Sequence, residues 1–407
     1  MRTTVALFAL AVVAGCGSSA KPPRTTAAAA QPAPDACSAA VVPTAAQSRA
    51  LSVPTTTIGV RGFPFGIATT PDGRWSFLAE GGPSSAIAVF SDGRSAPRLV
   101  RTIAVPGNAL GVGLADEGRY LLIANGDGAT VVSVARAEAG APHPVLGVLR
   151  APARAGLVGG GAIEVASSPD GRFAFVSLEG SAELAVYDLR AALAEHFGGA
   201  GYVGSVPVGR LPVGLAVSRD GRWLYAISEI ATGRSHPRLG YRGSHGTLSV
   251  VNMATAERDP RDAVVATVSA HCSPVRVALS PDGRTVWVTA RGDNQLLAFS
   301  AARLRSDPTQ ALLAAVRVGE APVGLAVVDG GRQVVVADSN RFGAQGARSS
   351  LTVINAAAAL AHRPAVLGTI PAGSFPREMS LEPDGRTLLV GNYASRQLEA
   401  VNVSALP

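Results

Sequence analysis

Three charged residues stand at one place in a repeated pattern. Glu164, Arg276 and Glu378 each lie seven residues ahead of a turn glycine, at Gly171, Gly283 and Gly385. The remaining copies carry Gly66, Gly111, Gly214 and Gly324 there. Two carboxylates and a guanidinium at one level could supply a general base, a general acid and an anion clamp. Arg377 could add a second cation, and His271, beside Cys272, is the one plausible histidine base. In the plainer alternative the three charges neutralise one another across a water-filled channel, because structural ion pairs perturb a site much as catalytic ones do.

A second ring follows from the same alignment. The strand after each turn ends in Glu80, Asn125, Glu179, Glu229, Arg291, Asp338 or Asn392. Glu80, Asn125, Glu229, Arg291, Asp338 and Asn392, with Asn340 in the next loop, are the ligand-binding candidates. Two loops at this level are long, "SEIATGRSHPRLGYRGSHGT" and "DSNRFGAQGARSS". Arg234, His236, Arg238, Tyr241, Arg242 and His245 in the first, with Asn340 and Arg341 in the second, make a basic rim. That rim suits an anionic small molecule, a glycan or a protein partner. The six histidines lack metal-ligand spacing, and no Gly-x-Ser-x-Gly elbow, CxxCH or phosphate-loop motif occurs, so neither metal nor cofactor is expected.

The elements that must hold these residues repeat seven times. "LSPDGRTVWVTARGDNQLLAFS", Leu279 to Ser300, has relatives at Gly73, Gly118, Gly171, Gly221, Gly331 and Gly385, at a mean spacing of 52 residues. Each copy reads as a small-residue strand, a Pro-Asp-Gly-Arg-like turn, a second alternating strand, a polar loop and a third strand, with a fourth leading onward. That period predicts an all-β, seven-bladed β-propeller with four antiparallel strands per blade. The last copy stops after its third strand, so "SVPTTTIGVRGFPFG" is expected to complete the final blade and close the ring, giving one domain over 53–407. "DLRAALAEHF" and "SDPTQALLAAV" read as short helices in the outer connections.

The tokens Pro-Asp-Gly-Arg followed by "VWVTARGDNQ" or "LLVGNYASRQLEAVNV" resemble the YVTN β-propeller family, which includes lactonase-like propellers such as bacterial 6-phosphogluconolactonases. The resemblance covers the whole body and implies the fold. Its members include enzymes, surface proteins and haem-carrying domains, so it implies no single activity. Lactonase-like members carry a Pro-Arg-His step entering an inner strand. Here the matching steps are Pro274-Val275-Arg276 and Pro376-Arg377-Glu378, without the histidine.

The N-terminus supplies an address. "MRTTVALFALAVVAGCGSS" has one positive residue, a short apolar run and then Val13-Ala14-Gly15-Cys16, which resembles the bacterial lipobox. That resemblance implies a signal peptide over 1–15 and lipid on Cys16. The chain would then be exported and membrane-tethered, on the outer side of the cytoplasmic membrane or in the periplasm or outer membrane. Residues 16–52, rich in Ala, Pro, Ser and Thr, read as a flexible tether. Cys37 in the tether and Cys272 in the body invite a disulfide; alternatively Cys272 is a small buried hydrophobe and Cys37 a free thiol. Apolar residues at 47% against 16% charged provide for a large core. The net charge of +7 is spread thinly and without basic runs, so nucleic acid is not an expected partner. A monomer is expected. The leading expectation is a binding scaffold acting at its funnel face, with a lactonase-like hydrolase as the alternative.

Overall fold

The turn drives the architecture. In "LSPDGR" the Ser280 hydroxyl donates to Asp282 Oδ1 (2.5 Å), Arg284 N–H donates to the same oxygen (3.0 Å), and Thr285 N–H donates to Ser280 Oγ (2.9 Å). Gly283 takes φ +68°, a region that Cβ-bearing residues enter only at a cost. The same hydroxyl–Asp–amide pattern recurs at Asp72, Asp170 and Asp220. In all four turns the hydroxyl bond, first of several causes, holds the aspartate below its ordinary pKa. Each turn thus fixes a hairpin between two apolar strands.

The computed structural model describes residue 37 and residues 48–91, 97–152, 161–199, 201–231, 245–343 and 348–407. Among these residues, seven four-stranded antiparallel sheets form the blades. Their inner strands are Phe63–Thr69, Val112–Ala115, Ala162–Ser167, Arg210–Val217, Pro274–Leu279, Pro322–Val328 and Pro376–Leu381. Closure follows the sequence expectation. Strand Thr55–Gly59 pairs antiparallel with Gln397–Asn402, Thr55 opposite Val401 and Gly59 opposite Gln397, and so completes blade 7. Just upstream, Leu51 N–H donates to Thr369 O (2.8 Å), while Thr369 N–H donates to Arg49 O (3.0 Å).

Packing lies between blades. Tyr225, Ile227, Leu248 and Val250 of blade 4 meet Val275, Val277, Val286 and Val288 of blade 5 in one buried cluster. Equivalent clusters join other neighbouring blades. The inner-strand glycines serve this contact. A Cβ on Gly66 would stand 2.5 Å from Val112 N, one on Gly214 2.5 Å from Val275 O, and one on Gly324 2.7 Å from Arg377 O. Their role is close approach of adjacent inner strands.

One helix reading is corrected. Leu189–Ala194 is helical, capped by the Asp188 side chain. In "SDPTQALLAAV" Ser306 ends the short helix Arg303–Ser306, Pro308–Gln310 is a 3₁₀ turn, and Leu312–Arg317 is the outer strand of blade 5. Pairing with Gln295–Ser300 overrides the local helix preference of Ala and Leu. Cys16, with the rest of 1–36, and Arg234, His236, Arg238, Tyr241 and Arg242 lie outside the described residues. Among those described, no helix is long and apolar enough to cross a membrane.

Candidate functional site at the propeller mouth

Three inner strands from non-adjacent blades deliver the central charges. Arg276 Nε donates to Glu378 Oε2 at 2.6 Å, and its Nη2 lies 3.4 Å from Glu164 Oε2. The guanidinium is held further by Val213 O (3.1 Å) and Val275 O (3.3 Å). Burial opposes the charge on Arg276, but Glu378 and then Glu164 outweigh it and hold its pKa above the ordinary value. Glu164 fares differently. Burial pushes it up to about 8, against the pull of Arg276, and the nearby Glu378 charge adds to the rise. Its carboxyl lies over Gly111, where a Cβ would stand 2.2 Å from Oε1.

Arg377, next along the same strand, has no such neutralisation. Its guanidinium carbon lies 3.7 Å from the Phe65 ring centroid and 5.7 Å from those of Phe375 and Tyr393. Its Nε is buried with no hydrogen-bond partner among the described residues, and no carboxylate among them pairs with it. Burial, followed by repulsion from Arg276 and Arg341, lowers its pKa to about 9. The undescribed stretches 153–160, 232–244 and 344–347 contain no Asp or Glu. Those loops therefore hold no carboxylate that could neutralise it.

The second ring divides in two. Glu229 and Arg291 form a buried pair at 2.7 Å, with Arg291 5.8 Å from the Phe342 ring centroid. Glu179 is pushed up by burial first and by the Glu229 charge second, while Arg377, Arg291 and Arg341 pull it down. These groups share one electrostatic field with Arg377. Glu80, Asn125, Asp338 and Asn392 are buried and do internal work instead. Glu80 accepts Arg61 N–H (3.1 Å), and Asn125 donates to Pro106 O (2.6 Å) and Thr130 Oγ1 (2.7 Å). Asp338 accepts from Thr352 (2.5 Å) and Ser350 (3.0 Å), and burial pushes it up to about 7. Asn392 donates to Glu399 (2.7 Å). Their side chains turn into the blade because alternation at a strand end points them inward. Asn340 takes φ +48° and anchors its loop through its own N–H to Glu320 O (3.0 Å).

His271 is not brought to Glu164, Arg276 or Glu378. Its Nδ1 lies 3.1 Å from Gln295 Oε1 and 3.6 Å from Asp293, and the Asp293 bond, outweighing burial, raises its pKa. Next to it, Cys272 forms a disulfide with Cys37, Cα atoms 5.6 Å apart.

Sequence reasoning missed the aromatic seat of Arg377. Phe63 stacks on Tyr393 with ring centroids 4.9 Å apart, and Phe375 lies 5.1 Å from Tyr393. The signal was present in "GFPFG", "GSFPRE" and "GNYAS", three aromatic-bearing entries to blades 1 and 7, which closure makes neighbours.

Comparison with solved structures agrees on the fold. Hydrazine synthase of Kuenenia stuttgartiensis matches with a TM-score of 0.64 at 16% identity, covering 85% of this chain and 97% of that one. A chain of a mitotic checkpoint complex matches with a TM-score of 0.64 at 14% identity, covering 92% and 97%. At such identities the likeness concerns fold alone. No curated protein matches the sequence. The family model described as "Lactonase, 7-bladed beta-propeller" matches residues 106–341, more than half of the sequence. With seven closed blades and this match, the chain belongs to the seven-bladed β-propeller lactonase family.

Proposed function

We propose that this protein is a cell-envelope lipoprotein whose propeller mouth binds an anionic ligand, with Arg377 as the principal contact. The observation that carries the reading is the half-buried Arg377, whose Nε is buried without a hydrogen-bond partner, whose guanidinium is stacked on Phe65, and which forms no ion pair with a carboxylate among the described residues. A recessed cation without a counter-charge is costly, and an anion that pairs with it recovers the cost. Four guanidiniums (Arg276, Arg291, Arg341, Arg377) share the mouth with Glu164, Glu179, Glu229 and Glu378. Because Glu164 stays largely protonated at neutral pH, the balance there is positive. The lipobox-like Val13-Ala14-Gly15-Cys16 supports the tethered location.

Titrating the detergent-solubilised protein with a panel of carboxylates, sugar acids and phosphate esters tests the ligand reading. Binding that weakens at least tenfold in Arg377→Met is expected. Equal binding by both proteins, or no anion bound by either, overturns it. Loss of membrane association in Cys16→Ser tests the anchor separately.

A lactonase-like hydrolase is the second reading, favoured by family membership and by a mouth carboxyl whose pKa is near 8. In that case Glu164, once deprotonated, takes a proton from water, while Arg276 and Arg377 stabilise the oxyanion formed at the lactone carbonyl. A lactone panel with Glu164→Gln distinguishes the two readings. Turnover that is lost in Glu164→Gln while anion binding persists favours the hydrolase.

A further inference from the structure

The Cys37–Cys272 disulfide is built into a cluster that the anion site does not use. Strand His245–Asn252 pairs with Val264–Cys272, and His245 faces Cys272 in register. One ligand atom each from Cys37, His245 and Cys272 all lie within 4.8 Å of one another. Asp293 fixes the frame by accepting Cys272 N–H at 2.8 Å. Cys272 is buried, Cys37 half-buried and His245 exposed, so the cluster is anchored at one end and open to solvent at the other.

A disulfide sulfur is a poor metal ligand, whereas a thiolate is a strong one. Two thiolates and a neutral imidazole are three of the four ligands of a borderline-soft d10 cation, the fourth being water. Zn–S of about 2.3 Å and Zn–N of about 2.0 Å place ligand atoms roughly 3.5–4 Å apart. Scission of the S–S bond lets the two sulfurs separate to that spacing.

We propose that reduction of the Cys37–Cys272 disulfide creates a zinc site from Cys37, Cys272 and His245, so that this clasp alternates between a covalent and a metal-bridged form. A dithiol protein supplies the two electrons and two protons that convert the disulfide to two thiols, itself ending as a disulfide. Zinc then displaces one proton from each thiol to solvent and takes the lone pair of unprotonated His245. Either form ties residue 37 to the outer strand of blade 4, through a bond in one case and through the metal in the other.

The test uses the full protein, reduced with excess dithiothreitol, desalted without oxygen and titrated with zinc alone against a chromophoric chelator. Cobalt substitution reads the thiolate ligands by their charge-transfer absorption. One equivalent of zinc in the reduced protein, none at comparable affinity in the oxidised protein, and affinity at least about tenfold weaker in His245→Ala are expected. Equal uptake by oxidised and reduced protein, no uptake by the reduced protein, or unchanged affinity in His245→Ala overturns the proposal. So does uptake that coincides with loss of the near-ultraviolet circular dichroism of the folded propeller. His245 is exposed and stands at a strand end, and unchanged near-ultraviolet circular dichroism of His245→Ala establishes that the comparison is made on a folded propeller.

Discussion

Arg276 and Glu378, 102 residues apart in the chain, meet at 2.6 Å between blades 5 and 7. The bond joins two inner strands that flank blade 6 rather than neighbours across one blade seam, so it exists only once blades 5, 6 and 7 are assembled. Glu164 of blade 3 approaches the same guanidinium at 3.4 Å, and the two carboxyls are not equivalent.

That asymmetry gives the first prediction. Glu378→Gln removes the carboxylate bonded to a buried cation and should cost about 3 kcal/mol. Glu164→Gln replaces a group that the fold holds largely protonated, so it should cost less than about 1 kcal/mol near pH 5 and nothing at pH 7, where holding that proton already weakens the wild type. Urea midpoints of the two variants, with slopes unchanged, check the order. Equal losses contradict the inequivalence of the two carboxyls.

The same burial predicts a pH dependence. Glu164 rises from 4.5 to about 8 on folding and Asp338 from 3.8 to about 7. Between those limits the folded state holds protons that the unfolded chain has released, so stability falls as pH rises. Each group contributes a slope of at most about 1.4 kcal/mol per pH unit. His271, raised by Asp293, adds a loss of the same sign above its ordinary 6.5. The turn aspartates act in the opposite sense, but only as pH falls below 3.8. Stability curves of wild type and Glu164→Gln should therefore converge near pH 5 and separate by pH 8, the variant being the more stable.

The fold was readable where a local rule forces a residue type. Gly73, Gly171, Gly221, Gly283 and Gly385 all take φ between +67° and +70°, and with Gly118 and Gly331, also at positive φ, their spacing in sequence is the blade period. Glu164, Arg276 and Glu378 were found by counting back from them. The seat of Arg377 was not legible, because Phe65 lies 312 residues away and meets it only through closure of blade 7 on blade 1. Nor could spacing tell that Asp338 and Asn392 turn inward, since that depends on Thr352 and Glu399 across the hairpin. The disulfide spans 235 residues and is decided by proximity of the two backbones, which composition does not encode.

Two turn glycines of equal conformation separate backbone strain from packing. Gly171 and Gly283 both have φ +68°. A Cβ on Gly283 meets nothing within 4 Å, whereas one on Gly171 would stand 2.2 Å from Asp116 N in the neighbouring turn. Gly283→Ala should cost about 1–2 kcal/mol from conformation alone. Gly171→Ala should cost at least about 1–3 kcal/mol more, because backbone must move. Chemical denaturation of both variants measures the difference, and similar values would mean that the blade 2–blade 3 contact yields freely.

The last prediction turns on what a binding residue does to the fold that carries it. Arg377 is desolvated and repelled by Arg276 and Arg341, and it recovers part of that through attraction to Glu378 and contact with Phe65 and the surrounding rings. Such a stack is worth about 2 kcal/mol when desolvated, less than the burial of a charge costs. Arg377→Met keeps the apolar volume against Phe65 and removes the charge. It should leave stability unchanged or raise it by up to about 2 kcal/mol while abolishing anion binding. In the wild type, burial and the neighbouring guanidiniums hold the Arg377 pKa below its ordinary value, and a bound anion should oppose that shift. Thermal unfolding and anion titration on one preparation give both readings. A destabilisation above about 2 kcal/mol would make Arg377 a structural cation and leave the mouth without its principal ligand contact.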